Sequence, residues 1–215
     1  MLFEDRQDAG RRLAERLEHF RGRPQTIILA LPRGGVPVAY EVARALNLPL
    51  DIFLVRKLGA PGHEELAMGA LTSDGTCVFN QDVIRELGIP QAAIDNAIVR
   101  ESLELQRREK QYRAGQPPLG IEDQTVILVD DGLATGATMR AAVQALRPLV
   151  RQVIVAVPVA AAATCHELQR EANQVICIDT PEHFGAVGAF YRDFSQTTDE
   201  EVRALLAQAH QAHSS

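Results

Sequence analysis

The chain alternates short unbroken apolar runs with longer segments in which apolar residues recur every three or four positions. The runs are Thr26–Leu31, Asp51–Val55, 125–131, Gln152–Val159 and Gln174–Ile178, and their lack of polar alternation suits strands buried on both faces of a parallel sheet. Helical spacing fills the intervals. Residues 4–20 carry Leu13, Leu17 and Phe20 among charges and stop at Gly22; further helices are predicted at Val38–Leu46, 138–149, 163–172 and 199–211. Strand, glycine turn, helix and strand over 26–55 predict a βαβ unit with parallel neighbours.

Between Gly59 and Asn80 the pattern changes. Leu66–Leu71 and Thr76–Phe79 flank Ser73-Asp74-Gly75, which predicts a hairpin with a glycine turn. A short helix at Asp82–Leu87 closes on Gly88. A long charged helix follows at 91–113, then a Gly/Pro linker at 114–120. The expected fold is α/β: a Rossmann-like parallel five-stranded sheet flanked by helices, in one domain over 1–215. A mobile hairpin arm at 59–80, a helical insertion at 81–120 and a small cap at 180–198 complete it. No internal repeat interrupts this reading.

With 215 residues, 46% of them hydrophobic and 23% charged, the chain has the composition of a globular domain with a full core. A net charge of −6 weighs against a nucleic-acid partner. Cys77, Cys165 and Cys177 match neither a disulfide framework nor a zinc pattern, and are expected as small buried hydrophobes in a reducing cytoplasm. The Met1-Leu2-Phe3-Glu4-Asp5-Arg6 start lacks a signal peptide's apolar core, and no run approaches the roughly 18 residues of a membrane span. Of 22 basic residues only Lys57 and Lys110 are lysines, which draws notice to Lys57 at the expected end of strand two.

Candidate chemistry concentrates at 126–138, Val-Ile-Leu-Val-Asp-Asp-Gly-Leu-Ala-Thr-Gly-Ala-Thr. Asp130 and Asp131 are expected at the carboxyl end of a central strand, where open α/β sheets place their ligands. Thr135-Gly136-Ala137-Thr138 offers backbone amides and hydroxyls to an anion, and the helix that follows adds its positive end. Paired carboxylates repel a bare phosphate, so the ligand must also present hydroxyls or a metal. A sugar phosphate satisfies both halves.

This segment resembles the phosphoribosyl-pyrophosphate (PRPP) motif of the type I phosphoribosyltransferases, most closely the adenine-type members. The resemblance implies that Asp130 and Asp131 hold the ribose hydroxyls, directly or through Mg²⁺-bound water, and that Ala134, Thr135, Gly136, Ala137 and Thr138 hold the 5′-phosphate. It implies a pyrophosphate site at Pro32-Arg33-Gly34-Gly35, with a cis Pro32–Arg33 peptide and help from Lys57. Arg33 supplies a fork that matches phosphate oxygens, and the two glycines permit close approach. The implied reaction is displacement at C1 of PRPP by a base nitrogen, with Asp130, Asp131, Arg33 and Lys57 as the catalytic set. The His63-Glu64-Glu65 arm would close over it. Arg107, Arg108, Lys110 and Arg113 face either the leaving group or, in larger part, solvent and the partners Glu101, Glu104 and Glu109.

The acceptor is less legible. Hypoxanthine-guanine-type relatives carry Asp where this chain has Ala134, and no general base stands out. The strand-one loop and the hairpin resemble a bacterial group of phosphoribosyltransferases whose base is unassigned. Base contact is expected from the cap, where Phe184, Phe190 and Tyr191 offer rings and His183 a weaker polar group. His19, His166, His210 and His213 are expected at the surface. The implied partners are PRPP and a small base, without a membrane, and a homodimer is left open. The alternative is a PRPP- or nucleotide-sensing regulator without turnover.

Overall fold

The computed structural model describes residues 2–113 and 115–213, and of Glu64 and Glu65 the backbone alone. Met1, Ala114 of the expected linker and the Glu64 and Glu65 side chains of the expected arm therefore lie outside the described residues. The chain runs α1 (Arg6–Arg16), a 3-10 turn (Glu18–Phe20), β1 (Thr26–Ala30), α2 (Gly35–Leu46) and β2 (Leu50–Ile52). It continues through β3 (Val55–Ala60), β4 (His63–Thr72), β5 (Cys77–Phe79), α3 (Gln81–Glu86) and α4 (Gln91–Arg113). Then come β6 (Thr125–Val129), α5 (Ala137–Leu146), β7 (Gln152–Val159), α6 (Ala162–Leu168) and β8 (Gln174–Asp179). A 3-10 turn (Val187–Phe190) and α7 (Asp199–His213) close the described chain.

Five strands form a parallel sheet in the order β2-β1-β6-β7-β8. Successive side chains of a strand face opposite ways, so strands apolar throughout need cover on both sides. Ile28, Ala30, Ile127, Val129 and Ile154 join a core with Leu13 of α1, Val38 of α2 and Leu206 of α7. Ile27, Leu29, Val126, Leu128 and Val155 join a second with Met139 and Val143 of α5 and Leu168 of α6. That division is the layered α/β architecture expected from the runs.

One strand differs from expectation. Asp51–Val55 does not form a single strand: β2 ends at Ile52, whose carbonyl accepts a hydrogen bond from Arg113 Nη2 (3.2 Å). The chain then leaves the sheet, and Val55–Ala60 pairs antiparallel with β4 in a separate sheet, β3-β4-β5. The arm accordingly starts at 55 rather than 59 and contains a further hairpin, turned at Pro61-Gly62. The Ser73-Asp74-Gly75 turn stands as predicted, with Gly75 at φ 87°. Helix ends also shift. α1 passes into a 3-10 turn, α2 begins at Gly35, and α5 ends at Leu146, before Pro148.

Cys165 is buried, whereas Cys77 and Cys177 are half-buried, and the Cys165 and Cys177 sulfurs lie 3.0 Å apart. His210 is half-buried rather than fully exposed. Among the described residues no helix is long and apolar enough to cross a membrane.

Candidate active site

β1 and β6 lie side by side with Ala30 opposite Val129, and the chain winds away from them in opposite directions. The turns after these strands therefore open into one crevice, the switch point at which open α/β sheets bind ligands. The two turns touch. A Cβ on Gly34 would stand 2.0 Å from Asp131 Oδ2, and one on Gly35 would stand 2.8 Å from the Val129 carbonyl. A side chain at 34 would displace the Asp131 carboxylate, and one at 35 would collide with backbone. The Pro32–Arg33 peptide is cis.

Each turn leads into a helix whose N-cap is a glycine, Gly34 for α2 and Gly136 for α5, with no side-chain cap. The first amides of a helix lack intrahelical acceptors, and the helix dipole places partial positive charge there. The α5 turn is built to stay open. Gly136 takes φ 68°, and a Cβ on it would meet Thr164 Cγ2 at 2.5 Å. Thr164 of α6 donates from Oγ1 to the Ala134 carbonyl (2.5 Å), which holds the loop from behind. Ala134, Thr135 and Thr138 face solvent and Ala137 is half-buried. This arrangement can receive an anion.

Asp130 and Asp131 follow β6 directly. Burial, and then the neighbouring Asp131 charge, pushes the Asp130 carboxyl well above its usual range. Burial also raises Asp131, while Arg6 opposes the shift. Arg6 Nε donates to Asp131 Oδ2 (2.8 Å), and the Asp131 amide donates to Asp130 Oδ1 (2.8 Å). Two half-buried acids with unmet negative charge suit a ligand that brings hydroxyls or positive charge.

Beside the two turns lies a cleft of about 320 Å³ whose walls include Pro32, Lys57, Arg108, Ala137 and Thr138. Lys57 lies within β3, in register with Ala70, rather than at the exit of a sheet strand, and still reaches this cleft. Arg33 does not line it. Its guanidinium pairs with Asp199 at the start of α7 (3.6 Å), and Gln111 also hydrogen-bonds that carboxylate.

The cations of α4 divide. Arg107 and Arg108 bond Glu104 (2.9 and 2.7 Å), Lys110 is exposed, and Arg113 is buried on Asp51, away from the crevice. The cap rings are largely structural. Tyr191 is 5% exposed, packs on Phe3 and Phe194, and donates its hydroxyl to the Asp131 carbonyl (2.6 Å). Burial leaves it no face on which a base could stack, contrary to expectation. Phe184 is half-buried and stacked on Phe190 with centroids 5.3 Å apart, and His183 is exposed.

Sequence reasoning missed Arg6, Thr164 and Asp199, which reach the site from α1, α6 and α7. Their signals are long-range contacts, which no local pattern records.

The profile of the phosphoribosyl transferase domain matches residues 4–195. A Mycobacterium tuberculosis protein named provisionally as a phosphoribosyl transferase is 46% identical over 210 residues, 97% of this chain. The chain spans about half, 47%, of that relative. The bifunctional protein PyrR of Chloroflexus aurantiacus is 32% identical over 121 residues, covering 55% of this chain and 60% of PyrR. The crystal structure of TT1426 from Thermus thermophilus superposes with a TM-score of 0.90 at 42% identity, over 97% of this chain and 99% of that one.

Proposed function

Since the chain belongs to the phosphoribosyl transferase domain family, we propose that it transfers the 5-phosphoribosyl group of PRPP to a nitrogenous, purine-like base with release of pyrophosphate. One observation carries this reading. The acidic turn after β6 touches the glycine turn after β1, beside a cleft that gathers Lys57, Arg108 and the amino end of α5. PRPP has the complementary layout, with hydroxyls set between a 5′-phosphate and a pyrophosphate.

In this reading the α5 turn, Ala134 to Thr138, holds the 5′-phosphate with amides and hydroxyls. Asp130 and Asp131 orient the ribose hydroxyls and lie near the positive charge that develops as the C1–oxygen bond to pyrophosphate breaks. Gly34 and Gly35 let the backbone approach the pyrophosphate. Lys57 and Arg108 face it from the cleft, and Arg33 joins them on leaving Asp199. Closure of the β3–β5 arm excludes the water that would otherwise intercept C1. Phe184, on the ring face away from Phe190, is the stacking surface offered to the base.

Among the described residues no group of three or more His, Cys, Asp or Glu is placed to hold a metal ion. Mg²⁺ needs only one or two carboxylates where substrate oxygens and water complete its shell, so Asp130 and Asp131 fit it as part of a donor complex. When bound, Mg²⁺ neutralises charge on the departing pyrophosphate.

The test incubates the protein with PRPP, Mg²⁺ and a panel of bases and follows pyrophosphate release. Base-dependent release is expected. Retained PRPP binding without release would establish the second reading, a PRPP-sensing regulator, which the engagement of Arg33 by Asp199 favours.

A further inference from the structure

Arg6 stands on the first turn of α1, far along the chain from both loops, yet its side chain is only 12% exposed. Two nitrogens and the flat face of its guanidinium are engaged. Nε donates to Asp131 Oδ2 (2.8 Å), Nη1 donates to the Ser195 carbonyl (2.7 Å), and the plane lies 3.9 Å from the centre of the Phe194 ring. The Asp131 oxygen that it holds is the one that fills the space of the missing Gly34 side chain. One carboxylate oxygen is thus wedged between Arg6 and the β1 turn, and the other lies on the side of Asp131 that Arg6 does not hold.

We propose that Arg6 is a positioning residue for the ribose of the donor: it fixes the Asp131 carboxylate so that a single oxygen meets a sugar hydroxyl. The inference rests on the PRPP reading above. A carboxylate free to rotate offers several acceptor geometries; one held by a charge-assisted bond on one oxygen and backed against the Gly34 turn offers fewer. A purely structural staple between the N-terminal segment and the cap is already supplied by backbone. The Phe3 amide donates to Phe190 O, the Arg192 amide to Phe3 O, and the Asp193 amide to Glu4 O. Arg6 is not needed for that junction. What it adds is the bond to Asp131.

The test measures PRPP binding by calorimetry with Mg²⁺ present, and steady-state kinetics, for wild type, Arg6→Gln, Arg6→Lys, Asp131→Asn and Arg6→Gln/Asp131→Asn. Arg6→Gln is expected to weaken PRPP binding and raise its KM by about tenfold or more, the scale of a lost charge-assisted hydrogen bond. The KM for the base stays put and kcat falls less. Lysine keeps the charge without the fork, so Arg6→Lys should recover only part of the loss. In the Asp131→Asn background, Arg6→Gln should add little. Undiminished PRPP binding in Arg6→Gln overturns the proposal, as does a loss of full size in the Asp131→Asn background. Should Arg6→Gln fail to fold by circular dichroism, Arg6→Lys decides, and wild-type binding there overturns it. Failure of wild type to bind PRPP sinks the donor assignment itself, and this inference with it.

Discussion

Two Asp–Arg pairs are drawn out of water in this molecule, and they are finished differently. In the scaffold, Arg113 Nη1 donates to both oxygens of Asp51 (2.6 and 2.8 Å), the Leu119 amide donates to Oδ2 (2.8 Å), and Arg113 Nη2 bonds the Ile52 carbonyl. Both side chains are at most 8% exposed. At the crevice, Arg6 reaches one oxygen of Asp131 through Nε and gives Nη1 to the Ser195 carbonyl beside the cap. Buried charge is tolerated when it is paired and its hydrogen-bonding capacity is filled. The Asp51 carboxylate is filled from inside, by Arg113, the Ile52 amide and the Leu119 amide, and locks the end of α4 to β2, while Arg113 Nε keeps only a longer contact to Glu109 (3.4 Å). The Asp131 pair is left short by the fold, and that shortage is what a ligand can meet.

The sharpest way to break the contrast is at the Asp51–Arg113 pair. Asp51→Asn leaves the buried Arg113 charge only the longer Glu109 contact (3.4 Å) and should cost about 3 kcal/mol of stability, read by denaturant unfolding. The activity of the fraction still folded should be unchanged. Second in size, Asp130→Asn or Asp131→Asn should lower turnover with PRPP by at least about a hundredfold, the scale of a lost transition-state contact. Burial raises both acids, and the neighbouring Asp131 charge adds to the shift at Asp130, so thermal melting of these variants should hold or rise. A fall in melting temperature matching that of Asp51→Asn would erase the distinction. Third, Gly34→Ala forces a methyl onto Asp131 and should cost about 1–3 kcal/mol in melting experiments, with PRPP affinity lost alongside.

The smallest effect belongs to an exposed cluster. Hydrogen bonds from Arg107 and then Arg108 pull Glu104 down to about 2. A depressed carboxyl contributes stability that is fully present above its unfolded value of about 4.5 and is lost as pH falls through about 2. At the surface the amount is a few tenths of a kcal/mol, so Glu104→Gln should leave acid unfolding nearly superimposable on wild type.

The same contrast explains what the chain discloses before it folds. The five-stranded sheet is legible because β1, β6 and β7 are apolar at nearly every position, and that pattern has one stable use. The two glycine turns are legible because Gly34-Gly35 and Gly136 stand directly at the strand ends they serve. The break after Ile52 is not, since it depends on Arg113 arriving from the far end of α4. Arg6 is hidden for the same reason: among the many arginines of a helical segment, nothing local separates it from Arg11 or Arg12. Tyr191 misled because a ring in a cap reads equally well as ligand surface or as packing, and only its hydroxyl's partner, the Asp131 carbonyl, separates the two.

The contact between Gly34 and Asp131 also governs how such a protein can be altered over generations or at the bench. The Asp131 carboxylate already occupies the volume that a side chain at 34 would need, so a side chain there would displace the acid. The two positions are therefore coupled, although β2, the β3–β5 arm, α4 and β6 are threaded between them. An engineer who tried to shift the acidic pair toward a differently configured sugar would find the opposite loop in the way. The two turns are thus inherited as one interlocked part, while the cap is held to the first residues by a few backbone bonds.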